Sequence, residues 1–328
     1  MTPRVQRSRR QSRASFTLIE LMVVMAVIAV LASTVLFALY GAVEEAKAAR
    51  TRTQMARLNE LLMTRWESYR TRAVRVSQST DRKVMARARV DAIRELMRLE
   101  MPDRVTDVVN PATYTPSALA AVPALARRYY ARSSGTTWAT NPSYQGAECL
   151  YMIISEMNDV GGNGLDFLQE GEIGDVDDDK MPEILDGWGN PIEFIRWPYG
   201  FLSGGLGADG AWNTADDDPS LSAVMVNDPD NAPDPFDPLG VYLDLSSGNK
   251  RYPALYPLLY SAGPDGKYDI ASDIIDSSGN RLNYSNLTPK NNPYYVPSAG
   301  KPIGTPWDAD GDGEISYVDN ITNHLQGD

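Results

Sequence analysis

The pattern of apolar and polar positions changes character along the chain. From Leu21 to Leu39 almost every residue is apolar, and no polar face recurs at a helix or strand period. As a helix this stretch would extend about 28 Å at ~1.5 Å per residue, close to the ~30 Å of a bilayer's hydrocarbon core. From Met55 the apolar positions thin to a stripe of Met55, Leu58, Leu62, Trp66, Tyr69, Ala73 and Val76, with arginines and glutamates between them. Steps of three and four predict an amphipathic helix with one face in a core. No proline lies between Pro3 and Pro102, so the spanning and amphipathic parts are predicted to form one helix running to about residue 76.

Thr80 is placed to cap a second helix that ends before Pro102, with Val84, Ala88, Ile93, Leu96 and Leu99 on its apolar face. Residues 117–132 and 147–157 read as further helices, the first interrupted at Pro123. After about Gly161 the composition shifts to Gly, Asp, Asn and Pro, and the apolar runs shorten to residues 191–197, 222–227, 240–245 and 254–263. Short runs between turn-forming residues predict strands of an antiparallel β-sheet. Helices first and strands later make an α+β fold. The chain divides by this reading into a leader (1–15), a membrane half (16–40) and an amphipathic half (41–76) of the first helix. A helical insertion (77–160) and a β-rich acidic region (161–328) follow.

Charge sharpens the picture at the N-terminus. Arg4, Arg7, Arg9, Arg10 and Arg13 precede the apolar run, and Glu44 and Glu45 follow it. The excess of positive charge places the leader in the cytoplasm and the rest outside. One carboxylate, Glu20, lies at the head of the apolar run, where an ionisable group is costly and marks a functional position. The sequence Ser15-Phe16-Thr17-Leu18-Ile19-Glu20 followed by about twenty apolar residues resembles the prepilin-type cleavage and methylation segment of type IV pilins and type II secretion pseudopilins.

That resemblance implies a fold, a processing step and partners. A prepilin peptidase would cut between Ser15 and Phe16 and methylate the new amine; the family carries Gly where this chain has Ser15. Glu20 would pair with the Phe16 amine of a neighbouring subunit during assembly, which supplies the cation that a carboxylate near lipid needs. The implied fold is type IV pilin-like, a long N-terminal helix packed on an antiparallel sheet. Asp186-Gly187-Trp188-Gly189-Asn190-Pro191 resembles the D-x-W-G-x-P turn of the major type II pseudopilin, and the residues from Ser261 to Lys267 resemble that family's next loop. The implied role is a structural, non-enzymatic subunit of a short periplasmic filament, anchored by a single pass in the inner membrane. Its partners would be other pseudopilins, the inner-membrane secretion platform and the lipid bilayer.

Two other readings compete. A subunit of a true type IV pilus shares the same N-terminus, but such pilins commonly carry a C-terminal disulfide, and Cys149 is the only cysteine. An ordinary signal peptide cut after Val30-Leu31-Ala32 would leave an exported calcium-dependent binding protein. Glu20 within the apolar run, and hydrophobicity continuing through Leu39, argue against it.

The overall formal charge of −12 conceals an asymmetry: the chain through Arg132 has 23 basic and 11 acidic residues, the remainder 8 and 32. An acidic globular part argues against nucleic acid and for cations. With His324 the only histidine, zinc sites and histidine-based acid–base chemistry are hard to build. Residues 308–319 follow the twelve-residue calcium loop, with Asp308, Asp310 and Asp312 at positions 1, 3 and 5, Gly313 at 6, the Glu314 carbonyl at 7 and Asp319 at 12. Asp175, Asp177, Asp179 and Asp186 repeat the 1, 3, 5, 12 spacing, with Lys180 where Gly is usual. The calcium that the resemblance implies beside the sheet could instead be held by Asp209, Asp216 and Asp217, or by Asp265, Asp269 and Asp273. Gly205, Gly207 and Gly210 satisfy G-x-G-x-x-G, but no helix start follows, so the dinucleotide reading fails.

Overall fold

A computed structural model of the protein describes residues 17–76, 79–138, 143–159, 162–201, 233–244, 250–275, 281–282, 291–294, 302–307 and 320–324. The chain forms two compact units, Met1–Ala46 and Lys47–Asp328. Helix α1 is one continuous element, Leu18–Ser68. Through Val43 its large apolar side chains are all exposed. Further along, Thr51, Gln54, Met55, Leu58, Leu62 and Trp66 form the predicted stripe and are buried.

The helix stops at Ser68 rather than near residue 76. Tyr69 and Arg70 donate their backbone N–H groups to the carbonyls of Trp66 and Glu67, tightening the last turn. Tyr69 then turns inward, fully buried, and its hydroxyl donates to Glu100 Oε2 at 3.1 Å. Ala73 and Val76 therefore lie beyond the helix. The β-branched Thr71, Val74 and Val76 offer little helix propensity to extend it.

Helix α2, Arg82–Glu100, is capped by Asp81 rather than Thr80: the Asp81 carboxylate accepts from Lys83 N at 2.8 Å. Only the second half of the 117–132 segment is helical, as α3, Ala124–Ser133. Pro123 starts it, and the preceding N–H groups of Ser117, Ala118 and Leu119 all donate to the buried carboxylate of Glu95 on α2. Those donors are held in a turn by a charge, which competes with helix formation. Helix α4, Gln145–Ser155, is buried along most of its length and contains Cys149, a fully buried free thiol.

The strands are short. Asn158–Asp159 (β1) pairs with Gly162–Asn163 (β2), and Ile173–Gly174 (β3) with Glu183–Ile184 (β4). The central sheet holds Glu193–Ile195 (β5), Leu258–Ser261 (β8) and Ile321–Thr322 (β11) in the antiparallel order β11-β8-β5. Two further antiparallel pairs are Leu243–Asp244 (β6) with Lys250–Arg251 (β7), and Ile274–Ile275 (β9) with Arg281–Leu282 (β10). The strand expected at 222–227 lies outside the described residues.

Both faces of the central sheet are covered. Phe194, Leu259 and Ile321 join the main core with the α1 stripe and α4, while Ile195, Leu258 and Tyr260 face a second cluster with Phe201, Ile270 and Ile303. Burial on both faces explains why β8 reads as an unbroken apolar run. Helix α4 packs against β4 and β5, and Gly146 permits it. A Cβ there would lie 2.3 Å from Glu193 Oε2 and 2.6 Å from the Phe194 carbonyl oxygen.

Residues 98–107 are bound to the sheet by buried charge. Arg196, directly after β5 and fully buried, donates from Nη1 to Asp107 Oδ2 at 2.9 Å and to the Met101 carbonyl at 2.6 Å. Its Nη2 lies 3.4 Å from Asp103 Oδ1. Arg98 on α2 shares Asp107, and Arg104 pairs with Asp103. Although burial acts the other way, Arg104 and Arg196 hold the Asp103 carboxyl well below the usual range.

Candidate functional site

The start of α1 is a reciprocal cap. Thr17 Oγ1 accepts from Glu20 N at 3.2 Å, and Glu20 Oε2 accepts from Thr17 N and Oγ1, both at 2.9 Å. Thr17-x-x-Glu20 is thus a capping box, which satisfies donors that a helix start leaves open. The exposed Glu20 carboxylate is fixed at the first turn, where the helix dipole favours an anion. The expected cleavage residues Ser15 and Phe16 lie outside the described residues. Beyond Glu20 the exposed apolar side chains surround the helix. A helix apolar all round requires a nonaqueous or protein surrounding. Among the described residues this is the one helix long and apolar enough to cross a membrane.

The turn at Asp186–Pro191 and the loop that begins at Ser261 are interlocked. Asp186 Oδ1 accepts from Trp188 N and Asn190 N at 2.8 and 2.9 Å, and Oδ2 accepts from Ser261 Oγ at 2.6 Å. Asn190 Nδ2 donates to the Gly263 carbonyl at 3.1 Å. The turn also presses on α1: a Cβ on Gly187 would lie 2.7 Å from the Lys47 carbonyl oxygen, and Gly187 N donates to Thr51 Oγ1 at 2.9 Å.

Residues 175–183, which run from the end of β3 into the first residue of β4, gather carboxylates. Those of Glu148, Asp177 and Asp179 offer oxygens within 4.8 Å of one another, and so do Asp175, Asp177 and Glu183. Burial, reinforced by Asp179, pushes Glu148 up to about 10. Burial, with Asp177 and Asp175 adding to it, pushes Glu183 up to about 7. Asp179 is raised by burial and by Asp177.

Residues 10–36 match the family described as the prokaryotic N-terminal methylation motif. The chain carries a prepilin-type N-terminus. That segment, the long apolar helix behind it and the α+β layout of helices and antiparallel sheets are consistent with a type IV pilin-like protein. No curated protein and no solved structure matches the chain.

The metal ligands expected from spacing separate in the fold. Asp175, Asp177 and Asp179 come together, but Asp186 belongs to neither carboxylate group, because its oxygens hold the turn and Ser261. Glu183 and Glu148 join instead. Glu183 stands at position 9 of the same loop, a position that contributes to calcium loops, so spacing alone could have found it. Glu148 stands on another element, and its only signal is a lone acid in the apolar run AECLYMIIS. Asp265, Asp269 and Asp273 do not form such a group. Asp265 accepts from Lys267 N at 2.9 Å, and Asp273 lies 3.5 Å from Arg104 Nη1. Asp209, Asp216 and Asp217, and the loop with Asp308, Asp310, Asp312, Glu314 and Asp319, lie outside the described residues.

Proposed function

We propose that the protein is a structural, non-enzymatic pseudopilin that assembles into a short periplasmic filament of a type II secretion system. The observation carrying this reading is the continuity of the first helix. A methylation motif leads into an exposed apolar segment, and the same helix then buries a stripe in the folded unit. Such a helix suits a subunit stored in the inner membrane and stacked with its copies. The interlocked turns at Asp186 and Ser261, on motifs resembling those of the major pseudopilin, support secretion over a pilus. The lone, buried Cys149, which leaves no C-terminal disulfide, supports it too. The reading includes prepilin peptidase and the inner-membrane platform as partners, a periplasmic globular part, and Ca2+ at the 308–319 loop, which rests on ligand spacing.

The test is the N-terminal mass of the protein recovered from membranes of the source cell. A start at N-methylated Phe16 is expected. A start at Ser33 would overturn the reading and leave an exported protein with a conventional signal peptide. Deletion of the gene separates the two filament types: lost protein export with intact surface pili supports the pseudopilin, and the reverse supports a pilus subunit.

A further inference from the structure

The carboxylates of the 175–183 loop are held in a way that turn formation does not explain. Asp175 curls the loop, accepting from Asp179 N at 3.1 Å and from Lys180 N at 3.0 Å. Asp178 and Lys180 adopt positive φ of 59° and 76° to make that curl, the latter at the place where calcium loops carry Gly. Asp179 Oδ1 accepts from Met181 N, Glu183 Oε2 from Val176 N, and Glu148 Oε2 from Trp138 Nε1. Each of these three side chains thus has one oxygen anchored. The other oxygen, on Asp179 Oδ2, Glu183 Oε1 and Glu148 Oε1, is buried with no donor, and so are both oxygens of Asp177. Glu148 and Glu183 are 0 % exposed and Asp179 is 1 % exposed. Among the described residues no Arg or Lys forms a salt bridge with any of the five acids.

Buried carboxylates this close must be neutralised by protons or by a cation. A shared proton would serve one pair, such as Glu148 with Asp179, and leave Asp177 unanswered. A calcium ion collects six to eight oxygens in adaptable geometry, and loop positions 1, 3, 5 and 9 are among those that supply them.

We propose that this cluster is a divalent-cation site of calcium type. Asp177 belongs to both groups of close carboxylates, with Asp175 and Glu183 in one and Asp179 and Glu148 in the other. Glu148 lies outside the loop, on α4, and α4 in turn packs on β4 and β5. The ion therefore staples the helical insertion to the β3–β4 loop. Thr137 strengthens the seam, donating its N–H and its hydroxyl to the Asp179 carbonyl at 3.1 and 3.2 Å. The assignment is independent of the filament reading.

The experiment is hydrogen–deuterium exchange of the full chain in detergent micelles, chelator-treated and then given Ca2+. Calcium is expected to slow exchange in residues 145–155 and 173–186 by roughly tenfold or more. Asp177→Asn should abolish the slowing in both segments while leaving any calcium effect elsewhere, including residues 308–319, unchanged. It should also leave the calcium-free protein at least as heat-resistant as the parent, because it removes a repelling charge, whereas loss of a purely structural residue would lower it. Glu183→Gln provides the same comparison should Asp177→Asn not fold. Glu148→Gln should keep slowing in the loop and lose it in α4. No calcium effect on either segment of the parent, or an equal effect in Asp177→Asn, overturns the proposal and assigns the cluster to shared protons.

Discussion

The carboxylate of Asp186 accepts a hydrogen bond of 2.6 Å from the hydroxyl of Ser261, at the end of β8. Its other oxygen gathers the N–H groups of Trp188 and Asn190. One buried side chain thus fixes the turn before β5 and ties it to the strand that β5 pairs with. Hydrogen bonds to a charged group contribute about 1.5–3 kcal/mol. Asp186→Ala is expected to cost about 3 kcal/mol or more and Ser261→Ala about 1–2 kcal/mol. The double variant should cost less than their sum in urea unfolding, which is the signature of a direct pair. Additive losses would show that the bond is incidental.

The two halves of α1 should respond unequally to the same substitution. Leu62 is fully buried in the main core, whereas Leu36 is 68 % exposed. Leu62→Ala is expected to destabilise the folded unit by about 2–5 kcal/mol through the cavity it leaves. Leu36→Ala should leave unfolding of that unit unchanged to within about 0.5 kcal/mol. Tryptophan fluorescence of the detergent-solubilised chain during denaturation measures both.

Gly146→Ala tests how closely α4 must approach β5. The added methyl group meets Glu193 and the backbone of Phe194, so α4 has to shift, at an expected cost of about 1–3 kcal/mol. Gly41 is also helical, but a methyl group there would meet nothing within 4 Å. Gly41→Ala should be neutral or stabilising by up to about 1 kcal/mol. Melting temperatures of the two variants give the comparison.

His324 should make stability depend on pH. Burial lowers its pKa below the usual 6.5, partly offset by backbone carbonyls, Pro257 O among them at 2.9 Å. Below pH 6.5 the unfolded chain takes up a proton that the folded chain resists. Stability is therefore whole above that pH and declines as pH falls toward the folded value. The slope cannot exceed about 1.4 kcal/mol per pH unit, the limit for one proton. His324→Gln should remove this component from a pH series of urea unfolding, and an unchanged slope would refute the assignment.

Much of this architecture is legible in the sequence because it follows from periodicity. Met55, Leu58, Leu62 and Trp66 announce a buried helix face, and the run around Leu258 announces a strand covered on both sides. Spacing fails where one residue type serves two purposes. Asp186 stands at position 12 after Asp175, as a calcium ligand would, yet its oxygens complete a turn. Nothing local separates the two uses; the distant hydroxyl of Ser261 decides between them. Glu148 shows the opposite case, since its neighbours in the cluster come from a loop some thirty residues away. The end of α1 and the delayed start of α3 are likewise set from outside, by Glu100 receiving Tyr69 and by Glu95 capturing three backbone donors.

The position of Arg196 makes one end of the sheet depend on a stretch far from it in sequence. Among the described residues, the oxygens that answer its guanidinium all belong to residues 98–107, within the stretch that separates the first helix from the sheet. Trimming that stretch to a short connection would leave this guanidinium without its acceptors, at a cost of about 3–5 kcal/mol, a large share of a domain's stability. Loss of the helical stretch is therefore expected to require replacement of the arginine as well. A relative with a short connection is then expected to carry an uncharged residue at the place of Arg196.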